Sequence, residues 1–306
     1  MSKNSRTALL CLLSLVTLFV TNCVAQPQES GQVLADDASQ TESTASTALT
    51  PLPQTEATEA VNPVEGWAVL AEKDDFSDVE MTNMLVDYID NQRLSATLME
   101  AGWQADHIHD LRGFDRELLQ AELDWLEENA DENDIVFVYV ATHGNHLINH
   151  ILWDEFFKEE WAQIPSPRRV LLMDTCTAGV FTNVVAGDPR GQLTIASVDA
   201  DEFAWRGIEE EGLPIIGGVF SYYFTEAFSD LEADTDGNGL VSIQEASLYA
   251  EEYQRKYMHE VVWVVPEFIE PYHQMGLNPE DDPLYPDVIV NDTISDPLYF
   301  ELAHYQ

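Results

Sequence analysis

From Trp67 onward, short apolar runs alternate with stretches in which apolar residues recur every three or four positions. Trp67-Ala-Val-Leu-Ala71 is a continuous run of strand length, and Asp74-Asp75-Phe76-Ser77 breaks it. Met84, Leu85, Tyr88, Ile89, Leu94, Leu98 and Met99 keep helical spacing between Met81 and Ala101, where Gly102 ends the pattern. A brief strand is predicted over 107–111. A helix follows over 115–129, with Leu118, Leu119, Leu123 and Leu126 on one face. Further strands are predicted at 134–141, 170–173 and 193–197, and further helices at 218–231 and 243–257. Residues 148–165 form an insert carrying Trp153, Phe156, Phe157 and Trp161. The tail from Val261 is rich in Pro and acids, with Val262-Trp-Val-Val265 as its predicted strand. Apolar strands alternating with amphipathic helices imply an α/β fold, a mostly parallel sheet covered on both faces in three α/β/α layers.

The first 25 residues do not fit that fold. Lys3 and Arg6 precede an apolar run from Ala8 to Val20, a secretory signal pattern too short for a comfortable membrane span. Two exits are consistent with it. Cys23-Val24-Ala25 suits cleavage before Gln26. Val20-Thr21-Asn22-Cys23 resembles a lipobox, with Asn22 where a small residue is usual, and would put a lipid anchor on Cys23. Both predict an exported protein, either anchored at the cell envelope or secreted to a periplasmic or outside space. Residues 26–62 are rich in Ser, Thr, Gln, Glu, Ala and Pro and contain no Lys or Arg, so they read as a disordered linker. The folded domain is expected over 63–306.

Net charge changes the list of partners. At −43, the chain repels nucleic acid and anionic lipid and attracts cationic peptides. A saline habitat is the simplest source of such a charge. Cysteine usage narrows the chemistry. Cys11 and Cys23 lie in the signal region, so Cys176 is the one thiol of the mature domain and has no disulfide role there. A small buried hydrophobe is the bland reading of such a residue. The chemical reading is a nucleophile, which requires a thiolate and a base to make it.

Two strand ends supply that pair. One strand runs into Ala141-Thr142-His143-Gly144, the other into Asp174-Thr175-Cys176-Thr177-Ala178-Gly179. Parallel strands deliver both ends to one sheet edge, where open α/β sheets keep their sites. With Trp67-Ala-Val-Leu before them, and 33 residues from His143 to Cys176, these motifs resemble the caspase–metacaspase–legumain superfamily of cysteine peptidases from Trp67 to about Tyr257. Ala141-Thr142 departs from the Ser-Gly usual before the metacaspase histidine, and the insert after His146 is unusual. The resemblance implies a caspase-like fold and a protein or peptide substrate. It implies that Cys176 attacks the peptide carbonyl and His143 handles the proton. It also implies that the backbone N–H groups of Gly144 and Cys176 hold the oxyanion, with no cofactor for catalysis. Asp174, two before the cysteine, matches the metacaspase acid that lines a pocket for Arg or Lys at P1; a helix cap is its plainer role. Asp74 and Asp75 are candidates for a second carboxylate there, and Ser197 and Asp199 for another wall. Two other readings stay open: an inactive caspase-like binding module on the envelope, and an asparaginyl, legumain-like peptidase or transpeptidase.

A second constellation lies further on. Asp234-Thr-Asp236-Gly-Asn238-Gly239-Leu240-Val-Ser242-Ile-Gln-Glu245 fits the twelve-residue calcium loop. Oxygen ligands fall at Asp234, Asp236, Asn238, Ser242 and Glu245, the Leu240 carbonyl adds another, and Gly239 makes the turn. Ser242-x-x-Glu245 is also a helix capping box. Calcium is expected to be structural. His143, His146 and His150 lack the His-Glu-x-x-His pattern, so zinc chemistry is not expected.

Overall fold

The computed structural model describes residues 62–73, 88–144, 155–183, 185, 190–207, 211–281, 284–294 and 296–306. The predicted signal and linker, Asp74, Asp75, His146 and His150 lie outside them, as does the helix reading over 81–87. Five parallel strands form the sheet: β1 (Gly66–Glu72), β2 (Ile108–Arg112), β3 (Ile135–Ala141), β4 (Arg168–Asp174) and β5 (Leu193–Ala196). A short hairpin of β6 (Arg206–Gly207) and β7 (Gly217–Gly218) stands apart from it. β8 (Ile289–Asp292) adds antiparallel to β5, giving the order β2-β1-β3-β4-β5-β8.

Period-two alternation on strands buried on both faces sorts the apolar side chains into two cores. Trp67, Val69, Val136, Val138 and Leu171 face α2 (Arg116–Asn129) and α3 (Glu155–Gln163), meeting Leu119, Leu123, Leu126, Phe157 and Trp161. Leu70, Phe137, Tyr139 and Leu172 face the other way, toward Leu94 and Leu98 of α1 (Ile89–Glu100). That same face meets Phe220 and Phe224 of α4 (Val219–Ala227) and Ala246 and Ala250 of α5 (Ile243–Tyr257). The result is a three-layer α/β/α fold within the compact unit Pro63–Gln306.

One expectation fails. Residues 262–265 are not a strand. Met258–Val262 forms a π turn at the end of α5, with Trp263 N–H donating to the Met258 carbonyl at 2.8 Å, and a short turn leads to α6 (Pro266–Gln274). Val262 is buried while Val264 is 63% exposed, the opposite of a strand, in which both would share a face. The free edge of β5 is taken by β8 instead.

At the bottom of the sheet, Asp134 ties β1 to β3. Its carboxylate accepts from Glu65 N–H (2.8 Å), Trp67 Nε1–H (2.9 Å) and Asp131 N–H (2.8 Å). Asp134→Ala would leave these donors without their acceptor in a largely buried site. Urea denaturation should therefore register a loss on the order of 3 kcal/mol. A change below about 0.5 kcal/mol would mean that the donors find water instead.

Candidate active site

The β1–β3–β4 register assembles the site. Glu72 pairs with Ala141, and Ala141 with Asp174, so both acids lie in one row at the top of the sheet. Two residues beyond that row stand His143 on one strand end and Cys176 on the neighbouring one. Adjacent strands lie about 4.8 Å apart, so the two loops share one edge. Gly144 is pressed against the cysteine: a Cβ there would fall 1.7 Å from the Cys176 carbonyl oxygen and 2.6 Å from Thr175 Oγ1. Only glycine allows that approach. Beyond Cys176, Thr177 holds φ at 57°, a strained region for a β-branched residue. Its N–H donates to the Glu202 carbonyl at 2.8 Å, which locks the turn.

The Cys176 thiol is partly covered. Its Sγ–H donates to the Ala204 carbonyl at 3.7 Å. Burial pushes the thiol up to about 11, and the Asp174 charge adds to the rise. The backbones of Ala204, Gly144 and Cys176 itself pull the other way. Those of Gly144 and Cys176 are the two expected oxyanion groups, and both lie against the sulfur.

Asp174 is 1% exposed and lies in a pocket of buried charge. Ser221 Oγ–H donates to its Oδ2 at 2.5 Å, while Oδ1 has no hydrogen-bond partner among the described residues. Burial raises its carboxyl above the ordinary range; Arg206 opposes this, Asp90 adds to it, and Ser221 and Ser197 oppose it. Ser197 thus stands beside the carboxyl, although its hydroxyl makes no hydrogen bond of normal geometry. Asp199 accepts from Ala200 N–H at 2.5 Å, and its Oδ1 lies where a Cβ on Gly179 would fall, 2.7 Å away.

Five residues of this pocket escaped the sequence reading. Arg206 Nη2 pairs with Glu72 and, at 2.8 Å, with Asp90 Oδ2. Burial alone would depress the guanidinium, but Asp90, Glu72, Tyr139 and Asp174 hold it charged. Its Nε and Nη1 have no hydrogen-bond partner among the described residues. Gly218 N–H donates to Asp90 Oδ2 at 2.9 Å, and a Cβ on Gly218 would meet Asp174 Oδ2 at 2.1 Å, so the hairpin backbone closes the pocket. Ser221 completes it from α4. A charged residue ending an all-apolar strand, as Glu72 does, was the available signal.

The acidic loop forms the capping box its sequence encodes and brings three of its carboxylates together. Ser242 and Glu245 make a reciprocal capping box at the start of α5. Carboxylate oxygens of Asp234, Asp236 and Glu245 also lie within 4.8 Å of one another. Asp234 accepts from the N–H groups of Gly237, Asn238 and Gly239, and Asn238 Oδ1 accepts from Leu240 N–H. Burial would raise Glu245, but Ser242, Thr235 and Asp236 donate to it and bring it down to about 2.

A family model described as the caspase domain matches residues 65–258 of the chain. No curated protein matches it.

The resting thiol should be un-ionised at neutral pH. Iodoacetamide should alkylate Cys176 slowly at pH 7, and the rate should climb about tenfold per pH unit as thiolate forms. It should level only near a pH of about 11. A plateau reached below pH 8 would overturn this account of the resting site.

Proposed function

The chain belongs to the caspase-domain family of cysteine peptidases, and from that premise we propose a cysteine endopeptidase acting through Cys176 and His143. The observation that carries this reading is the β3–β4 register, with both loops on one edge and Gly144 against the Cys176 backbone. In this mechanism His143 takes the thiol proton as Sγ attacks the scissile carbonyl. The oxyanion accepts hydrogen bonds from the N–H groups of Gly144 and Cys176. The tetrahedral intermediate collapses to a thioester, and His143 returns the proton to the leaving amine. Water, deprotonated by His143, then cleaves the thioester. A thiol at about 11 is a poor nucleophile alone, so the imidazole has to take its proton.

We assign P1 recognition to the Asp174 pocket. Arg206 spends its ion pairs on Glu72 and Asp90, which leaves Asp174 the least neutralised of three buried carboxylates. Its buried, unpartnered Oδ1 suits the guanidinium or ammonium of Arg or Lys. One observation favours a second reading. The unpartnered Nε and Nη1 of Arg206 offer donors in the same pocket as the Asp174 acceptor, a pair that suits the carboxamide of Asn. Export, with the domain free or held by lipid on Cys23, belongs to this proposal and rests on the pattern of residues 1–62.

We further propose that the acidic loop holds calcium in a structural role. The donor set supports this: Asp234, Asp236, Asn238, the Leu240 carbonyl, Ser242 and Glu245 are hard oxygen ligands, and three of the carboxylates already converge. Calcium would supply charge neutralisation to the loop and take no part in peptide cleavage.

Cys176→Ala and His143→Ala should each abolish hydrolysis with melting unchanged, and the double variant should be scarcely worse. A peptide library should show Arg or Lys at P1, and Asp174→Asn should lower kcat/KM for those substrates by about tenfold or more. Asn at P1 selects the second reading. Asp at P1, or turnover by Cys176→Ala, defeats the assignment.

Calcium should raise Tm in a concentration-dependent way, with Glu245→Gln weakening binding more than Ser242→Ala. The depressed Glu245 carboxyl stabilises the folded state above the ordinary glutamate range, and that contribution is lost as pH falls toward about 2. At neutral pH a chelator should therefore lower Tm with the carboxylate still ionised. An unchanged Tm, and no heat on calcium titration, would leave only the capping box.

A further inference from the structure

The caspase-domain match stops at residue 258, where α5 passes into the π turn Met258–Val262. π turns interrupt regular helices and recur at functional sites. The chain beyond this one packs against the stretch Phe203–Trp205. The Trp263 ring packs edge-on against Trp205 at 5.2 Å, and Phe268 of α6 does so at 5.7 Å. Tyr272, also on α6, meets Trp263 at 5.5 Å and Phe203 at 6.4 Å. Phe203 and Trp205 flank Ala204, the residue whose carbonyl receives the Cys176 thiol. Tyr272 itself is 8% exposed and close enough to Cys176 for the two to interact electrostatically; burial first, then the sulfur, raises its phenol above the ordinary value.

This packing has loose ends. The indole Nε1–H groups of Trp205 and Trp263 are both buried with no hydrogen-bond partner among the described residues. A buried donor without an acceptor disfavours the closed arrangement. Lifting the segment would release both donors, to water or to the carbonyls of an incoming peptide.

We infer that the segment from Met258 to Gln274 is a hinged cover over the Phe203–Trp205 stretch that borders Cys176, with the π turn as hinge. The inference rests on Cys176 being the reactive residue. The chain's own C-terminal segment thereby governs access to the thiol, and a peptide substrate reaches it only after α6 lifts.

The test follows Cys176 alkylation in the full chain by iodoacetamide at pH 8, quantified on the peptide that carries Cys176. Tyr272→Ala and Phe268→Ala should each raise the rate by about tenfold, because exposure controls thiol reactivity. Tyr272→Phe keeps the ring and should stay within about twofold of the wild type. Alkylation does not require peptide cleavage. Faster alkylation without turnover upholds the cover and counts against the peptidase reading alone. Unchanged alkylation in both alanine variants, at native Tm, overturns the cover. Should those variants fail to fold, hydrogen exchange on the wild type decides. Amides of Pro266–Gln274 should exchange about tenfold faster or more than those of Ile243–Tyr257, and equal protection overturns the hinge.

Discussion

One guanidinium holds the top of this molecule together. Arg206 reaches from the β6–β7 hairpin to Glu72 at the end of β1 and Asp90 in the first turn of α1, and lies beside Asp174 at the end of β4. Bringing these charges out of water is expensive, and their mutual attraction recovers the cost only where the geometry is good. Removing one member of such a buried group typically costs about 3–5 kcal/mol, because the others are left uncompensated. The strand ends, the helix start and the hairpin are therefore not independent loops. They share one electrostatic tie, and the Cys176 thiol sits on the segment that follows it.

A second network braces the turn that follows Cys176. Thr177 stays at positive φ because Glu202 accepts its N–H, and Glu202 is itself held by donors from Asp199 and Asp287. Asp287 also pairs with Arg255 of α5. The turn that presents Cys176 is thus braced by chain far beyond it. A strained residue persists only where its surroundings over-determine it.

The sheet was legible because strands buried on both faces read as unbroken apolar runs, and 135–141 and 168–174 lie within two residues of the expected bounds. The helix at Ile243–Tyr257 was legible to the residue through its Ser242–Glu245 start signal. The last strand was not. Val262-Trp-Val-Val265 is more apolar than Ile289-Val-Asn-Asp292, yet the weaker run takes the sheet edge, where half-exposure tolerates polar residues. The π turn leaves no local mark, since it is decided by the aromatic cluster it delivers. At the site, strand-end chemistry pointed to His143, Gly144, Cys176 and Asp174. Arg206, Asp90 and Ser221 were invisible because the bonds that bring them into the site, Arg206 to Glu72, Gly218 to Asp90 and Ser221 to Asp174, span from 47 to 134 residues of sequence. The capping box and the calcium pattern read as rivals on paper. In the folded loop Glu245 serves the cap while its carboxylate also lies near those of Asp234 and Asp236, so the cap does not exclude the proposed calcium reading.

Charge works at two ranges here, and they should be kept apart. A net −43 draws cations toward the whole surface, but screening at physiological salt limits each exposed charge to about 8 Å. Such a field raises encounter with basic peptides without choosing which bond is cut. Choice requires a charge that solvent does not screen. Glu72, Asp90 and Asp174 are each at most 1% exposed, so their fields persist inside the pocket, and Arg206 sets how much of that charge remains uncancelled. The direct ion pairs of Arg206 fall on the first two acids rather than the third. The acid outside those ion pairs is Asp174, two residues before Cys176, so under the proposed reading a basic group held there would lie next to the thiol.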